Sequence, residues 1–207
     1  MNVLIVSATY FEIKPFLEQN KTVEVLITGV GTAATIFFLT KRVLEKKYDC
    51  IIQAGIAGSF SDRLTLGQTV IIKEDTFADL GIEENGKFQA LFETGFVGKN
   101  DFPYTGGWLI NNHIFFEKDI LPVAKGITVN RVTDNNLQNS ANKEKFSAVV
   151  ESMEGAAFHY VCLQQNINFL QLRSISNRVG ERDKTKWKIK EAVENLNKEL
   201  IKIIDNL

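Results

Sequence analysis

Two glutamates and one asparagine of this chain lie beside predicted strands, at places where an α/β sheet would hold a ligand. Asn177 closes a largely apolar run over residues 169–177, a pattern that is typical of a buried parallel strand. Open α/β sheets bind ligands just beyond the carboxyl ends of their strands, so Asn177 is a candidate binding residue. Its amide can donate and accept hydrogen bonds at once, whereas an aspartate in the same place could also deliver a proton.

Each glutamate has an ordinary structural interpretation beside the functional one. Glu12 follows the first predicted strand, and an acid in the first turn of a helix is already favoured by the helix dipole. Glu154 precedes the small residues 155–157, which indicate close packing. A carboxylate in such a crowded place needs a hydrogen-bonding partner, and a ligand hydroxyl could serve as one.

Two glycine-rich segments also follow predicted strands. Residues 29–34 match the dinucleotide fingerprint G-x-G-x-x-A, which is a weak signal alone because glycines can also serve a tight turn. Asp49, the acid about 20 residues further on, precedes a strand rather than following one. Residues 55–59 predict a turn whose backbone N–H groups could hold an anion or a sugar hydroxyl, and a tight strand exit explains the same pattern equally well.

Metal and serine-hydrolase chemistry have no support in the sequence. His113 and His159 have no carboxylate or cysteine at a metal-ligand spacing, and they are interpreted as structural or surface residues. No G-x-S-x-G motif is present, which argues against a Ser-His-Asp hydrolase. We therefore expect neither a metal nor a cofactor.

The bulk composition predicts one soluble domain over residues 1–207. The chain is 44% apolar, and its net charge of −1 suggests neither a nucleic-acid partner nor an anionic membrane. No apolar stretch approaches the roughly 20 residues of a membrane span, and the N-terminus lacks the basic region of a signal peptide. Cys50 and Cys162 are isolated in apolar surroundings, which is typical of the reducing cytoplasm.

The order of predicted elements favours an α/β fold with a mostly parallel sheet. Strand-like runs cover residues 3–7, 23–28, 50–54, 69–74, 126–132 and 169–175. Helical patterns cover residues 32–44, 153–164 and 185–204. Residues 92–108 mix glycines with aromatics and predict a long surface loop, a kind of segment that is often functional.

Four segments, taken in order, carry a resemblance to a known family. They are Glu12 after the first strand, the glycines of 55–59 followed by a Leu-Gly step at 66–67, the Met-Glu-Gly-Ala run at 153–156, and the strand end at 173–177. Together they resemble the nucleoside phosphorylase and nucleosidase superfamily over nearly the whole chain. The hydrolytic branch is the most similar, namely the methylthioadenosine/S-adenosylhomocysteine nucleosidases and the futalosine hydrolases.

The resemblance implies a three-layer α/β/α fold around a mixed, mostly parallel sheet, and it implies roles for particular residues. Glu12 would be the base that activates water, Glu154 would hold the 2′- and 3′-hydroxyls, and Met153 would pack on the ribose. The remaining substrate-binding residues would be Gly58, Ser59 and Ser176. Family members are homo-oligomers, commonly dimers, in which a neighbouring subunit closes the pocket for the 5′ substituent.

Two details favour the futalosine hydrolases within that branch. Residues 78–83 and 176–183, with Trp187, look like that subfamily's versions of these segments. Asn177 stands where adenine-cleaving nucleosidases have aspartate. The implied reaction is hydrolysis of futalosine to hypoxanthine and dehypoxanthine futalosine, in menaquinone biosynthesis by the futalosine route.

The chemistry of Asn177 agrees with that resemblance by a separate argument. Hypoxanthine presents acceptors at O6 and N7, to which an amide NH₂ can donate, whereas a carboxylate meets that pair well only when it is protonated. Asn177 therefore suits a 6-oxopurine. A pocket for the aromatic, carboxylated 5′ group of futalosine would need aromatic walls and a cation. The candidates are Phe96, Phe102, Tyr104, Trp108, Arg131 and Arg182.

Three alternatives stay open at this point. The first is an adenine-releasing nucleosidase on the same scaffold. The second is a phosphorylase, which is disfavoured because residues 7–15 lack the arginine that family phosphorylases carry soon after the first strand. The third is a non-catalytic nucleotide-binding module built around residues 29–34.

Overall fold

The structure is a computed structural model that describes residues 1–19, 22–112 and 121–207. The described residues form ten strands and five α-helices. The strands are β1 (Val3–Ser7), β2 (Glu24–Ile27), β3 (Cys50–Ser59), β4 (Thr69–Asp75), β5 (Gly81–Glu84), β6 (Lys87–Ala90), β7 (Leu109–Ile110), β8 (Val123–Thr128), β9 (Val150–Ser152) and β10 (Phe169–Arg178). The helices are α1 (Tyr10–Gln19), α2 (Thr32–Glu45), α3 (Asn136–Phe146), α4 (Gly155–Gln164) and α5 (Ile189–Asp205).

Eight of these strands form one mixed sheet, in which parallel pairs predominate. β1 lies between β2 and β3, and all three are parallel. β10 is parallel to β3 and antiparallel to β4, which continues through β8 to β9. The end of β9 returns to pair with the end of β3. This pairing brings the ends of β3, β9 and β10 side by side, where the candidate site residues lie.

Helices cover both faces of the sheet, which confirms the predicted three-layer arrangement. Because side chains alternate along a strand, β1 contributes to two cores. Ile5 packs with buried residues of α1 and α5. Leu4 and Val6 pack with buried residues of α2 and α4 on the other face.

A buried amide ties α5 to the helix that carries Glu12. The predicted apolar face of α5 is buried, and Asn197 is one of the buried residues of this helix. Asn197 accepts from the backbone N–H of Phe16 at 3.0 Å and donates to the carbonyl of Glu12 at 2.8 Å. The carbonyl of Glu12 and the N–H of Phe16 lie on either side of Pro15, which has no backbone N–H to donate within the helix. The C-terminal helix therefore helps to position the first turn of α1.

Several predicted boundaries were wrong, and two of the differences concern the site. β3 continues through residues 55–59, so this segment is strand rather than a turn. β10 continues to Arg178 with an irregularity between Ile175 and Asn177, so Asn177 lies within the strand and not beyond it. β8 begins and ends earlier than the predicted run 126–132. The irregular character predicted for residues 92–108 is confirmed, since turns and bends occupy most of it.

Candidate functional site

A cavity of about 380 Å³ opens at the carboxyl ends of β1, β3, β9 and β10. Nearly all the predicted site residues line it, namely Glu12, Gly58, Met153, Glu154, Ser176 and Asn177. A larger cavity of about 870 Å³ lies between the β5–β6 hairpin and α3, and it is lined by none of these residues. The smaller cavity is therefore the candidate active site.

Glu12 is fixed by hydrogen bonds on both carboxylate oxygens. Oε2 accepts from the backbone N–H and the hydroxyl of Thr9, at 3.1 and 2.7 Å, and the Thr9 hydroxyl accepts from the N–H of Glu12. This is a capping box at the start of α1. Oε1 accepts from the N–H of Ile56 on β3 at 3.0 Å. The structural and the functional interpretations of Glu12 thus coexist, because the cap also fixes the carboxylate in the cavity.

Glu154 lies between a backbone N–H group and a buried guanidinium. Its Oε1 accepts from the N–H of Gly31 at 3.0 Å, and its Oε2 lies 3.6 Å from Nη1 of Arg173. Arg173 is only 1% exposed and also donates to Gln53 at 2.9 Å. Burial raises the pKa of Glu154, while Arg173 and the Gly31 N–H oppose that rise. The carboxylate keeps the capacity to accept from a ligand hydroxyl.

The glycines of the glycine-rich segments 29–34 and 55–59 serve the side chains of this site rather than a dinucleotide. A Cβ on Gly55 would lie 2.3 Å from Nη1 of Arg173 and 3.2 Å from Oε1 of Glu12. Gly31 has a φ of 94° and its N–H is bonded to Glu154. The hydroxyl of Thr32, at the start of α2, donates to Asn130. The helix start that would bind a pyrophosphate is therefore occupied by the protein's own side chains, which argues against the nucleotide-binding module.

The amide of Asn177 is oriented by its neighbours. Its nitrogen donates to the backbone carbonyl of Arg178 at 2.8 Å, and its oxygen accepts from the hydroxyl of Ser176 at 2.8 Å. A flipped amide would place two carbonyl oxygens against each other, so this orientation is the favourable one. The amide nitrogen also lies 3.4 Å from where a Cβ on Gly58 would be, next to the side chain of Val179. Asn177 lines the cavity, and its second N–H can serve a ligand there.

The two serines predicted to bind substrate, Ser59 and Ser176, lie in different surroundings. Ser59 is outside the lining of the cavity, and its buried hydroxyl lies within hydrogen-bonding distance of the carbonyls of Ser61 and Val149. The resemblance implied that Ser59 binds substrate, and the structure does not bring its side chain to the cavity. Ser176 lines the cavity, and its hydroxyl contacts Asn177.

Most of the proposed residues for a 5′ pocket lie elsewhere. Arg182 lines the cavity, and Arg131 lines the larger one. Tyr104 stacks edge-on against Phe92. Phe96 and Phe102 are exposed. Trp108 packs against a separate buried apolar cluster that includes Ile127 and Val129.

Glu151 is a cavity residue that sequence reasoning missed. It lies on β9, is 7% exposed and lines the cavity. Burial, and then the nearby carboxylate of Asp79, raise the pKa of Glu151 to about 7. The signal in the sequence was weak, because a glutamate two residues before Met153 reads as an ordinary surface acid until β9 is known to end in the cavity.

Glu151→Gln is expected to stabilise the protein at pH 8 relative to the parent, with little difference at pH 4. The folded pKa of about 7 lies above the ordinary 4.5, so the parent loses stability as pH rises through this range. The difference corresponds to about 3 kcal/mol at about 1.4 kcal/mol per pH unit. Urea unfolding of both proteins from pH 4 to pH 8 measures it. A stability difference that does not change with pH would contradict the burial of an ionisable group here.

Among the described residues, no cluster of His, Cys, Asp and Glu could hold a metal ion. His159 is fully buried with Nδ1 2.9 Å from the carbonyl of Leu109, and burial lowers its pKa to about 4. His113 lies outside the described residues. Within the same part of the chain, no helix combines the length and apolar character required to cross a bilayer.

Comparison with known proteins finds the same fold and similar sequences. The phosphorylase superfamily pattern matches residues 7–207. The chain is 31% identical to the futalosine hydrolase of Thermus thermophilus over 175 residues, which cover 83% of this chain and 76% of that protein.

Two solved structures show how widely the fold is shared. The native structure of futalosine hydrolase of Helicobacter pylori has a TM-score of 0.84 at 17% identity, covering 99% of this chain and 97% of that one. The 5′-methylthioadenosine/S-adenosylhomocysteine nucleosidase of Neisseria meningitidis, in complex with methylthio-immucillin-A, has a TM-score of 0.81 at 18% identity, covering 99% of each chain. At these identities the likeness concerns the fold alone.

Proposed function

The chain belongs to the phosphorylase superfamily and, within it, to the futalosine hydrolases, and on that premise we propose that it hydrolyses the N-glycosidic bond of futalosine. The observation that carries the proposal is that Glu12, Glu154 and Asn177 line one cavity at the sheet's carboxyl edge. Each is also held by neighbours in a defined orientation.

The two glutamates suit the sugar side of the reaction. As the bond to the base breaks, the ribose becomes cation-like, and a water must attack C1′. Glu12 accepts the proton of that water as general base. Glu154 accepts from the ribose hydroxyls and, with Arg173 beside it, holds the ring in place. Negative charge near the developing cation also stabilises it electrostatically. Met153 lines the cavity beside Glu154 and packs on the ribose.

Asn177 suits the base side. Hypoxanthine leaves with the electrons of the broken bond, and its O6 and N7 are hydrogen-bond acceptors. The amide nitrogen of Asn177 donates to one of them without transferring a proton. The hydroxyl of Ser176 donates to the oxygen of that amide and so orients it, and Gly58 lines the cavity on the neighbouring strand. The released products are hypoxanthine and dehypoxanthine futalosine.

The proposal includes a homodimer or a higher homo-oligomer. Phe11 and Val30 line the cavity and are 57% and 55% exposed. Phe37 and Phe38 on α2 are also exposed, and their rings contact each other edge to face. A second copy packed against Phe11 and Val30 would bury these side chains and close the 5′ end of the cavity. The role of Arg182 would be to meet the 5′ carboxylate.

The setting proposed for the reaction is menaquinone biosynthesis in the cytoplasm. Cys50 and Cys162 are buried and unbonded, which is compatible with a reducing compartment. The net charge of −1 favours a small-molecule partner over nucleic acid. We propose that residues 1–207 act as one domain.

The direct test is incubation of the purified protein with futalosine and identification of the released base. We expect hypoxanthine, formed at a rate that does not depend on added phosphate. Parallel reactions contain methylthioadenosine. Preferential release of adenine would overturn the proposal in favour of the nucleosidase alternative, and a requirement for phosphate would favour a phosphorylase.

A further inference from the structure

Glu151 is a buried acid of the cavity to which the reaction described above gives no task. Among the described residues, no hydrogen-bond donor contacts its carboxylate, and burial and then the carboxylate of Asp79 raise its pKa. A poorly solvated acceptor without a protein donor is costly, and a ligand in the cavity that Glu151 lines can supply that donor.

The register of the sheet places Glu151 opposite Asn177. Gly58 on β3 pairs with Glu151 on β9 and with Asn177 on β10. Residues paired directly across strands point to the same face, and all three residues line the cavity. The Cα atoms of Glu151 and Asn177 are about 10 Å apart, two strand spacings. The side chain of Val179 packs over Gly58, with its Cγ2 3.0 Å from where a Cβ would be. A flat ligand beside Val179 in this cavity would have the Asn177 donor on one side and the Glu151 acceptor on the other.

We propose that Glu151 accepts a hydrogen bond from N1–H of the 6-oxopurine and so determines base specificity together with Asn177. This inference rests on the proposed function. Hypoxanthine carries a proton on N1 beside O6, whereas N1 of adenine is a lone pair. The pair of Asn177 as donor and Glu151 as acceptor therefore matches hypoxanthine, and adenine would turn a lone pair towards a carboxylate.

The raised pKa of Glu151 is compatible with this task. An N–H donor favours the ionised carboxylate, so a bound 6-oxopurine would lower the pKa of Glu151 from about 7. A protonated Glu151 could instead donate to N1 of adenine, so the base preference is compared at about pH 8, where the carboxylate is ionised.

The experiment compares kcat/KM for futalosine and for its 6-amino counterpart, which differ only in the base. In Glu151→Gln the preference for futalosine should fall by about 10- to 100-fold, the range expected for a lost hydrogen bond to a charged group. The glutamine can also turn its NH₂ to N1 of adenine, which moves the ratio in the same direction. Glu18→Gln makes the same change to a glutamate outside the cavity, whose side chain is 61% exposed, and should leave the ratio as in the parent.

A second measurement separates this inference from the proposed function. Competition binding of hypoxanthine, 1-methylhypoxanthine and adenine to the parent and to Glu151→Gln involves no 5′ group. If the parent does not cleave futalosine, the proposed function fails, and the base preference still judges Glu151. The inference is overturned if Glu151→Gln keeps the parent's hypoxanthine preference, or if the parent has none.

Discussion

Glu12→Gln is expected to lower kcat for futalosine hydrolysis by about 10²- to 10⁴-fold, the usual contribution of a general base. Glutamine has the same shape, and its oxygen can still accept from the N–H of Ile56, as Oε1 of Glu12 does at 3.0 Å. It cannot accept a proton from water. Because Glu12 is held at the cavity by bonds that do not involve substrate, KM should change much less than kcat.

The measurement is steady-state hydrolysis with release of hypoxanthine, together with thermal unfolding. Glu18→Gln is the matched control, since Glu18 lies on the same helix with a side chain that is 61% exposed. The control should retain the parent's kcat. If Glu12→Gln folds as the parent does and hydrolyses futalosine at the parent's rate, Glu12 is not the general base. A loss of stability alone would point to the capping box with Thr9 instead.

The fold could be predicted from the sequence where one local pattern decides it. The apolar run of β1 and the apolar face of α5 are each recognised without help from the rest of the chain. β3 was predicted too short because glycine usually marks a turn, whereas Gly55 is needed to admit the guanidinium of Arg173. That requirement depends on a residue more than a hundred positions away, and no local pattern contains it.

The residues of the candidate site also differ in whether a local pattern marks them. Glu12, Glu154 and Asn177 were found because a strand end and a family pattern mark them. Asn197 and Glu151 were not, since their importance comes from elements that meet only in the folded chain. Asn197 inserts between groups of α1 from the far end of the sequence. Contacts between distant segments are the information that local patterns lack.

Asn177→Asp is expected to weaken futalosine cleavage and to lower the preference for futalosine over its 6-amino counterpart by about 100-fold or more, because polar groups are left mismatched. The nitrogen of Asn177 faces the carbonyl of Arg178 at 2.8 Å, so an aspartate would put an oxygen in place of that nitrogen, facing both this carbonyl and the acceptors of hypoxanthine, while its other oxygen stays on Ser176. Both contacts are repulsive while the acid is ionised, and protonation relieves one of them. The pKa of the introduced aspartate should therefore be raised, and cleavage of futalosine by the variant should recover as pH falls.

The profile of kcat/KM against pH, measured with both substrates, separates reading of the base from a general loss of structure. Asn195→Asp is the matched control, because Asn195 also donates to a backbone carbonyl, that of Gly67, at 2.8 Å. It should leave the ratio of the substrates as in the parent. If the ratio in Asn177→Asp equals that of the control, Asn177 does not read the base.

If the ratio falls in Asn177→Asp and in Glu151→Gln, the double variant decides whether the two side chains act on the same base. Effects of residues that share a ligand should not add, whereas independent effects should.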